Sequence, residues 1–391
     1  MRWSCLAVVV CAGACGFQPS GGVATDGGAT DADVDAASDV PIDAPIPTGA
    51  IDFMPASEET PGTGDLMIVG DTVLDTSAPS LIAPIGVSFV VGVQEGGTEV
   101  AILRVRDLRI MNNKRLRVIG TRPFVILAGR DIVIDGTLDV GAHGAVPGPG
   151  GAAPAEGTGK GLPGTHQANG NADSGGGGGS FGSVGARGGD SDDQDGGGPG
   201  DLYSPDILIG GSSGGLARAM DCPYPSGAGG GAVLMFAAHK VQVKGAITAG
   251  GGGGAGGAVC TTLAGAGSGT GGGSGGLIWI QTLELGGDGV LAANGGGAGG
   301  GGYAKSNAPG MSGQDGQPAT ETVARGGAPA DAEYGSAGGD GAIDGKPATR
   351  GGDRDSGNAG GGGGGVGRII TRTPTTPTLN ASPAMQWSAW N

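Results

Sequence analysis

The sequence predicts an all-β fold: a short right-handed parallel β-solenoid carrying long glycine-rich insertions. Three observations predict it. Apolar strings of strand length recur between glycine tracts, their side chains alternate with period two, and a similar glycine turn follows each string. The glycine itself excludes the competing classes. Of 391 residues 94 are Gly, about one in four against a usual share of about 7%. A largely helical chain is excluded, because each helical Gly costs about 1 kcal/mol relative to Ala. Collagen is excluded as well, since the glycines come in runs rather than at every third position and Pro numbers only 24.

The repeat appears in four clear copies. One runs over residues 100–110 and then 115–120, and the next over 124–134 and 135–141. A third covers 232–243 and 244–250, and a fourth 277–285 and 289–295. A truncated copy lies at 366–371 and a looser one at 65–74. Each copy is an apolar run, a polar break, an alternating strand, a Gly turn and a short final strand. The offset from Ile110 to Ile134 is 24 residues, whereas Gly136 to Gly245 is 109 and Gly245 to Gly289 is 44. Unequal spacing of like units implies one short structural unit with insertions at one corner. A single unit cannot bury its own apolar face, so units must stack at about 4.8 Å. Alternation places Ile132, Ile134, Leu138 and Val140 in the core, and Asp131, Asp135, Thr137 and Asp139 toward solvent. A β-sandwich is the alternative, since it too alternates.

Units occupy 51–140, and units with insertions occupy 141–373; the insertions are 141–230, 250–276 and 295–365. They leave from equivalent positions at Gly141, Gly250 and Gly295. Two readings of them stand side by side. They are flexible loops at a tolerant corner, or they are extended polyglycine II rows bonded to one another through their backbones. Residues 374–391 read as a Thr/Pro-rich tail.

The N-terminus reads as an export signal. Arg2 is its positive end, and the apolar stretch over 5–14 is too short for a membrane span, which needs roughly 20 residues. Ala12-Gly13-Ala14-Cys15 resembles the lipobox of bacterial lipoproteins, in which cleavage precedes a Cys that carries the lipid. Ala12 departs from the Leu usual there. The alternative is an ordinary cleavage site beside a bystander Cys. The lipobox resemblance makes 1–14 the signal and Cys15 the lipidation site. Because Gly16 is not the Asp that retains lipoproteins at the inner membrane, it also implies an outer-membrane or cell-surface destination in a Gram-negative bacterium. Residues 16–50 hold Asp26, Asp31, Asp33, Asp35, Asp39 and Asp43 with no Lys or Arg, so 15–50 reads as a disordered, self-repelling tether.

Five cysteines are present, and removal of Cys5 and Cys11 with the signal, and use of Cys15 for lipid, leave Cys222 and Cys260. In an oxidising compartment this pair is expected as a disulfide, which by chain entropy would stabilise by about 3–4 kcal/mol. Two Cys with His143, His166 and His239 scattered along the chain do not make a zinc pattern. No cofactor is expected.

Chemical motifs are weak. G-x-S-x-G occurs around Ser180, Ser212 and Ser274, but glycine density accounts for it and no strand-to-helix elbow surrounds any copy. Asp190, Asp192, Asp193 and Asp195 loosely resemble a calcium loop with a broken register; the simpler reading is solvated loop charge. Asp131, Asp135 and Asp139 on one face are the residues that a polysaccharide lyase or hydrolase would use, yet the next unit does not repeat them. Eight of the 21 Lys and Arg lie within residues 104–130. Among them Arg104, Arg106, Arg109, Arg115 and Arg117 form a candidate basic contact face for an acidic glycan or lipopolysaccharide. The simpler reading is a charged guard on an exposed β edge. Nucleic acid is not expected at a pI near 4.4.

Cys15, the Asp/Ala/Pro tether, the string at 122–129 and the Ile134-Asp-Gly-Thr-Leu-Asp139 turn together resemble glycine-rich, PGRS-like surface lipoproteins of large-genome Gram-negative bacteria. The resemblance implies compartment and architecture and carries over no functional residue. The expected role is a non-catalytic, lipid-anchored structural or adhesive one. Its partners would be the outer membrane, through Cys15, and glycans or other surface proteins. A polysaccharide-active β-helix enzyme and an ice- or crystal-binding surface are the alternatives.

Overall fold

The computed structural model describes residues 51–165, 173–204, 206–217, 224–260, 265–303 and 308–390. Within them the chain is all-β, with two parallel sheets and a single short 3-10 turn at Ala56–Glu58. The first sheet holds β1 (Leu66–Ile68), β5 (Leu108–Ile110), β8 (Asp131–Ile134), β10 (Ala232–Val243), β14 (Leu277–Gly286), β16 (Arg368–Thr373) and β18 (Gln386–Ala389), in that order. Beside this path β4 (Glu99–Val105) pairs with β7 (Phe124–Ala128), and β7 pairs with β10. The strand β3 (Ser88–Val93) adds antiparallel to β4. The second sheet runs β2 (Thr72–Asp75), β6 (Arg115–Ile119), β9 (Thr137–Asp139), β11 (Ala246–Thr248), β15 (Val290–Ala292) and β17 (Asn380–Ser382). A separate pair, β12 (Val259–Cys260) and β13 (Gly265–Ala266), is antiparallel.

Neighbouring copies of the sequence repeat lie beside one another. Ile110 pairs with Ile134, and Ile134 with Val243, in the first sheet. Leu116, Leu138, Ile247 and Leu291 line up in the second. The unequal offsets therefore lead to equal structural positions. Parallel pairing throughout both main sheets, apart from β3, departs from the antiparallel pairing of a sandwich.

The alternation is borne out where it points inward. Ile132, Ile134, Leu138 and Val140 are fully buried in one apolar core with Leu108, Ile110, Val241, Val243, Ile247 and Leu291. The runs at β4, β7 and the first half of β10 do not alternate, and both of their faces are buried. Their outer residues Val100, Ile102, Val125, Leu127, Leu234 and Phe236 form a second core with Ile51, Met54, Phe181 and Leu208. Continuous apolar strings are what a sheet covered on both sides requires.

The turn glycines between the sheets are sterically fixed. A Cβ on Gly245 would lie 1.8 Å from the carbonyl oxygen of Gly136, and one on Gly289 would lie 2.3 Å from that of Gly245. Stacked turns leave no room there for a side chain.

The glycine tracts carry a regular hydrogen-bond pattern. The amides of Gly269, Gly272 and Gly275 donate to the carbonyls of Ala359, Gly362 and Gly365. Those of Thr270, Gly273 and Gly276 donate to Ala255, Gly252 and Ala249, and those of Gly271 and Ser274 to Gly215 and Ser212. The partner segment thus changes at each residue and returns at every third. The tracts at 175–180, 295–302 and 359–367 repeat the same rotation.

Two expectations need correction. Residues 374–391, read as a tail, supply β17 and β18, which pair with β15 and β16 and complete both sheets. Asp139, expected to face solvent, is buried at 1% exposure. The chain after Gly141 folds back over it, and Gly141 N, His143 and Arg115 all bond its carboxylate.

Candidate functional site

The arginines expected to form one basic face are split between two sheets, and four of the five are ion-paired. Arg104 and Arg109 lie on β4 and β5 of the first sheet, Arg106 follows β4, and Arg115 and Arg117 lie on β6 of the second. Arg104 pairs with Glu58, Arg106 with Asp65, Arg109 with Asp135 at 2.7 Å and Arg115 with Asp139. Arg130 joins Asp107 at 2.7 Å, and Asp107 also faces Arg106 at 3.4 Å. Arg117, on the same strand as Arg115, is half-buried, and its Nε has no partner. Stacking places acidic residues one layer from these basic ones, so the excess of positive charge seen in the sequence does not reach the surface as a patch.

The three carboxylates of the enzyme alternative are likewise engaged. Asp131 bonds His239 Nδ1 at 2.7 Å, Asp135 bonds Arg109 and faces Lys244 at 3.9 Å, and Asp139 is enclosed. His143 lies between Asp139 (3.0 Å) and Asp315 (3.3 Å). These hydrogen bonds push His143 up to about 9, against its partial burial. Burial raises the Asp139 carboxyl, but the bonds from His143, Gly141 and Arg115 outweigh it and hold the group below its usual range. Asp315 behaves alike: burial is outweighed by His143 and by the amides of Gly144 and Gly253. The cluster ties the insertion that starts at Gly141 to those near Gly253 and Asp315.

In the acidic loop Asp190 pairs with Arg187 at 2.9 Å and Arg350 at 2.5 Å, and Asp195 pairs with Arg187 at 2.7 Å. Asp192 and Asp193 are exposed. Among the described residues no group of three or more His, Cys, Asp or Glu is placed to hold a metal ion. Ser180, Ser212 and Ser274 are fully buried. Ser180 Oγ donates to Gly200 O at 2.6 Å, Ser212 Oγ to Tyr203 Oη at 3.1 Å and Ser274 Oγ to Ser212 O at 3.3 Å. They are packing residues of the glycine rows. Cys15 and Cys222 lie outside the described residues, and Cys260 ends β12.

A different site emerges on the outer face of the first sheet. Over β4, β7 and β10 that face is covered by Ile51, Met54, Phe181 and Leu208. Over β14, β16 and β18 the cover stops and leaves a cleft of about 440 Å³. Its lining comprises Phe53, Leu277, Trp279, Ile370, Ser204, Asp206, Arg368 and Gln386. Leu234, Trp279 and Ile370 stand in register on adjacent strands, and Gln386 follows Ile370. Phe53 meets Trp279 edge-on with ring centroids 4.7 Å apart. Arg368 lies over the Phe181 ring at 5.5 Å and donates to Tyr203 O at 2.9 Å. Beside the cleft, Asp52 pairs with Arg372, and burial, only partly opposed by Arg372, raises its carboxyl.

Sequence reasoning missed this cleft. One signal was available: Ile278 and Ile280 point inward by alternation, so Trp279 between them is a large aromatic at an outward position. Phe53, Asp206 and Arg368 come from distant parts of the chain and carry no such mark. Comparison with protein-family models, curated proteins and solved structures finds no match to this chain.

Proposed function

We propose that the chain is an exported, lipid-anchored surface protein with a structural or adhesive role, built as a right-handed β-solenoid whose insertions pack as polyglycine II. The three-residue rotation of hydrogen-bond partners in the glycine tracts carries this reading. Polyglycine II has three residues per turn, so successive amides point to three neighbours in succession. A layer bonded this way presents a broad, stiff surface that needs few large side chains, which suits a coat or contact element. The parallel order of both sheets supports the solenoid, since the chain passes from the first to the second at β1–β2, β5–β6, β8–β9, β10–β11 and β14–β15. The hydrogen bond of Asp131 to His239, the ion pair of Asp135 with Arg109 and the enclosure of Asp139 favour a non-catalytic role. The residues Ala12-Gly13-Ala14-Cys15 support the anchor, and among the described residues no helix is long and apolar enough to cross a membrane.

The test is expression of the full chain and of Cys15→Ser in a Gram-negative host. Wild type should fractionate with the outer membrane and increase attachment of cells to glycan-coated surfaces. Cys15→Ser should move to the soluble fraction. Unchanged membrane fractionation of Cys15→Ser would sink the anchor, and unchanged attachment would sink the adhesive role.

A further inference from the structure

We propose that the cleft between Phe53 and Arg368 is a subsite for one neutral sugar ring of a surface glycan. This rests on the adhesive reading above and gives it a location. The floor is apolar, formed by Leu277, Trp279 and Ile370, with Phe53 as a wall. The rim is polar and mixed: the Asp206 carboxylate, the Arg368 guanidinium, the Gln386 carboxamide and the Ser204 hydroxyl. A sugar ring has this same division. Its C–H face packs on an aromatic surface, whose π cloud is electron-rich, and its hydroxyl edge needs donors and acceptors together. Asp206 accepts, Arg368 donates, and Gln386 and Ser204 do both. A purely apolar peptide or an acyl chain would match the floor and leave this rim unused.

The volume of about 440 Å³ falls within the range of roughly 300–1,000 Å³ seen for small-molecule sites. The location is also particular. Elsewhere along β4, β7 and β10 the same apolar face is sealed by the protein's own side chains. Over β14, β16 and β18 it stays partly accessible at Trp279, Ile370 and Gln386. Charge selects the sugar class. One Asp and one Arg on the rim cancel, and the chain carries a net charge of −16. Such a field repels acidic glycans, so a neutral hexose or N-acetylhexosamine fits better than a uronic acid or a phosphorylated sugar.

The experiment uses the full chain in detergent with cellotetraose, chitotetraose and mannotetraose, and with tetragalacturonate as the acidic comparator. Binding is read by calorimetry. At least one neutral tetramer should bind and the acidic one should not. Trp279→Ala should weaken that binding by about tenfold or more, as for a central aromatic contact. Asp206→Asn and Gln386→Ala alter the rim without touching the core, and each should weaken binding several-fold even where Trp279→Ala does not fold. Arg106→Ala, away from the cleft, should bind as wild type does. The proposal is overturned if no neutral tetramer binds, if only the acidic one binds, or if both rim variants match wild type. It is overturned too if a synthetic peptide of residues 41–50 perturbs the Trp279 indole while no sugar does. Attachment of whole cells is scored in parallel. Attachment that persists without oligosaccharide binding removes the subsite and leaves the adhesive reading standing, whereas loss of both removes both.

Discussion

A Cβ built on Gly271 would lie 1.9 Å from the carbonyl oxygen of Gly177, and one on Gly178 would lie 1.9 Å from that of Gly363. Neither oxygen belongs to a side chain that could swing away, so the backbone rows themselves must part. Gly70 is the contrast, with open space where its Cβ would stand. Gly271→Ala and Gly178→Ala are each expected to destabilise by about 1–3 kcal/mol, the usual cost of overpacking. Gly70→Ala should be neutral or stabilising by about 0.4–1 kcal/mol through the unfolded chain. Urea midpoints of the three variants check this, and equal midpoints would mean that the tracts do not pack. His143 offers a second test at the same scale. Its folded value of about 9 lies above its ordinary 6.5. Its contribution is therefore fully present below pH about 6.5 and is lost as pH rises through about 9. Its two carboxylate partners, Asp139 and Asp315, are held below the ordinary carboxylate range and stay ionised across that window. The melting temperature should fall from pH 6.5 to 9 in wild type, and His143→Ala should flatten that fall.

At the scale of the strand, β17 and β18 close the open edges that β15 and β16 would otherwise present. Ser382 accepts the amide of Ala293 at 2.7 Å, and its Oγ donates to Asn294 Oδ1 at 2.6 Å. Trp387 Nε1 donates to Thr373 O at 3.2 Å. Truncation after Thr373 should replace the four-residue edge of β18 by the six-residue edge of β16, a longer template for association with other chains. Light scattering should therefore rise at concentrations where the full chain stays monodisperse, and equal scattering would mean that these strands guard nothing. This capping could not be read from the sequence, because Gln386–Ala389 is exposed along its length and lacks the alternation that marks a half-buried strand. The inward residues of β8 and β9 were legible because period two is a property of the strand itself. Asp139 was not, since its partners Gly141, His143 and Arg115 are brought to it by the turn that follows and by the neighbouring strand, not by the period of β9. The basic stripe misled for the same reason. Eight cations close in sequence look like a patch until stacking sets an acid beside nearly all of them, as Asp107 is set beside Arg130.

At the scale of the whole molecule, the glycine rows bind together segments that the sequence holds far apart. The run at 269–276 donates to 359–365, to 249–255 and to 212–215, while 295–302 donates to 336–342, 267–273 and 311–314. Each hydrogen bond nets only about 1 kcal/mol, and ordering glycine costs more conformational entropy than ordering any other residue. A row can thus persist only when all its neighbours are in place. Opening one row frees carbonyls and amides on three others, so the rows should open together with the sheets they adjoin rather than fray singly. Hydrogen exchange tests this directly. Amides of Gly271 to Gly276 and Gly295 to Gly301 should exchange as slowly as those of Val233 to Phe236 at the centre of the first sheet. Gly96, exposed in the turn between β3 and β4, should exchange at near-unprotected rates. Removing residues 303–342 should accelerate exchange at 269–276 as well, although 269–276 would be intact in sequence, because 295–302 would lose two of its three partner segments. If the glycine tracts of the full chain instead exchange as fast as Gly96, they are loops. The rotation of partners would then not describe the protein in solution.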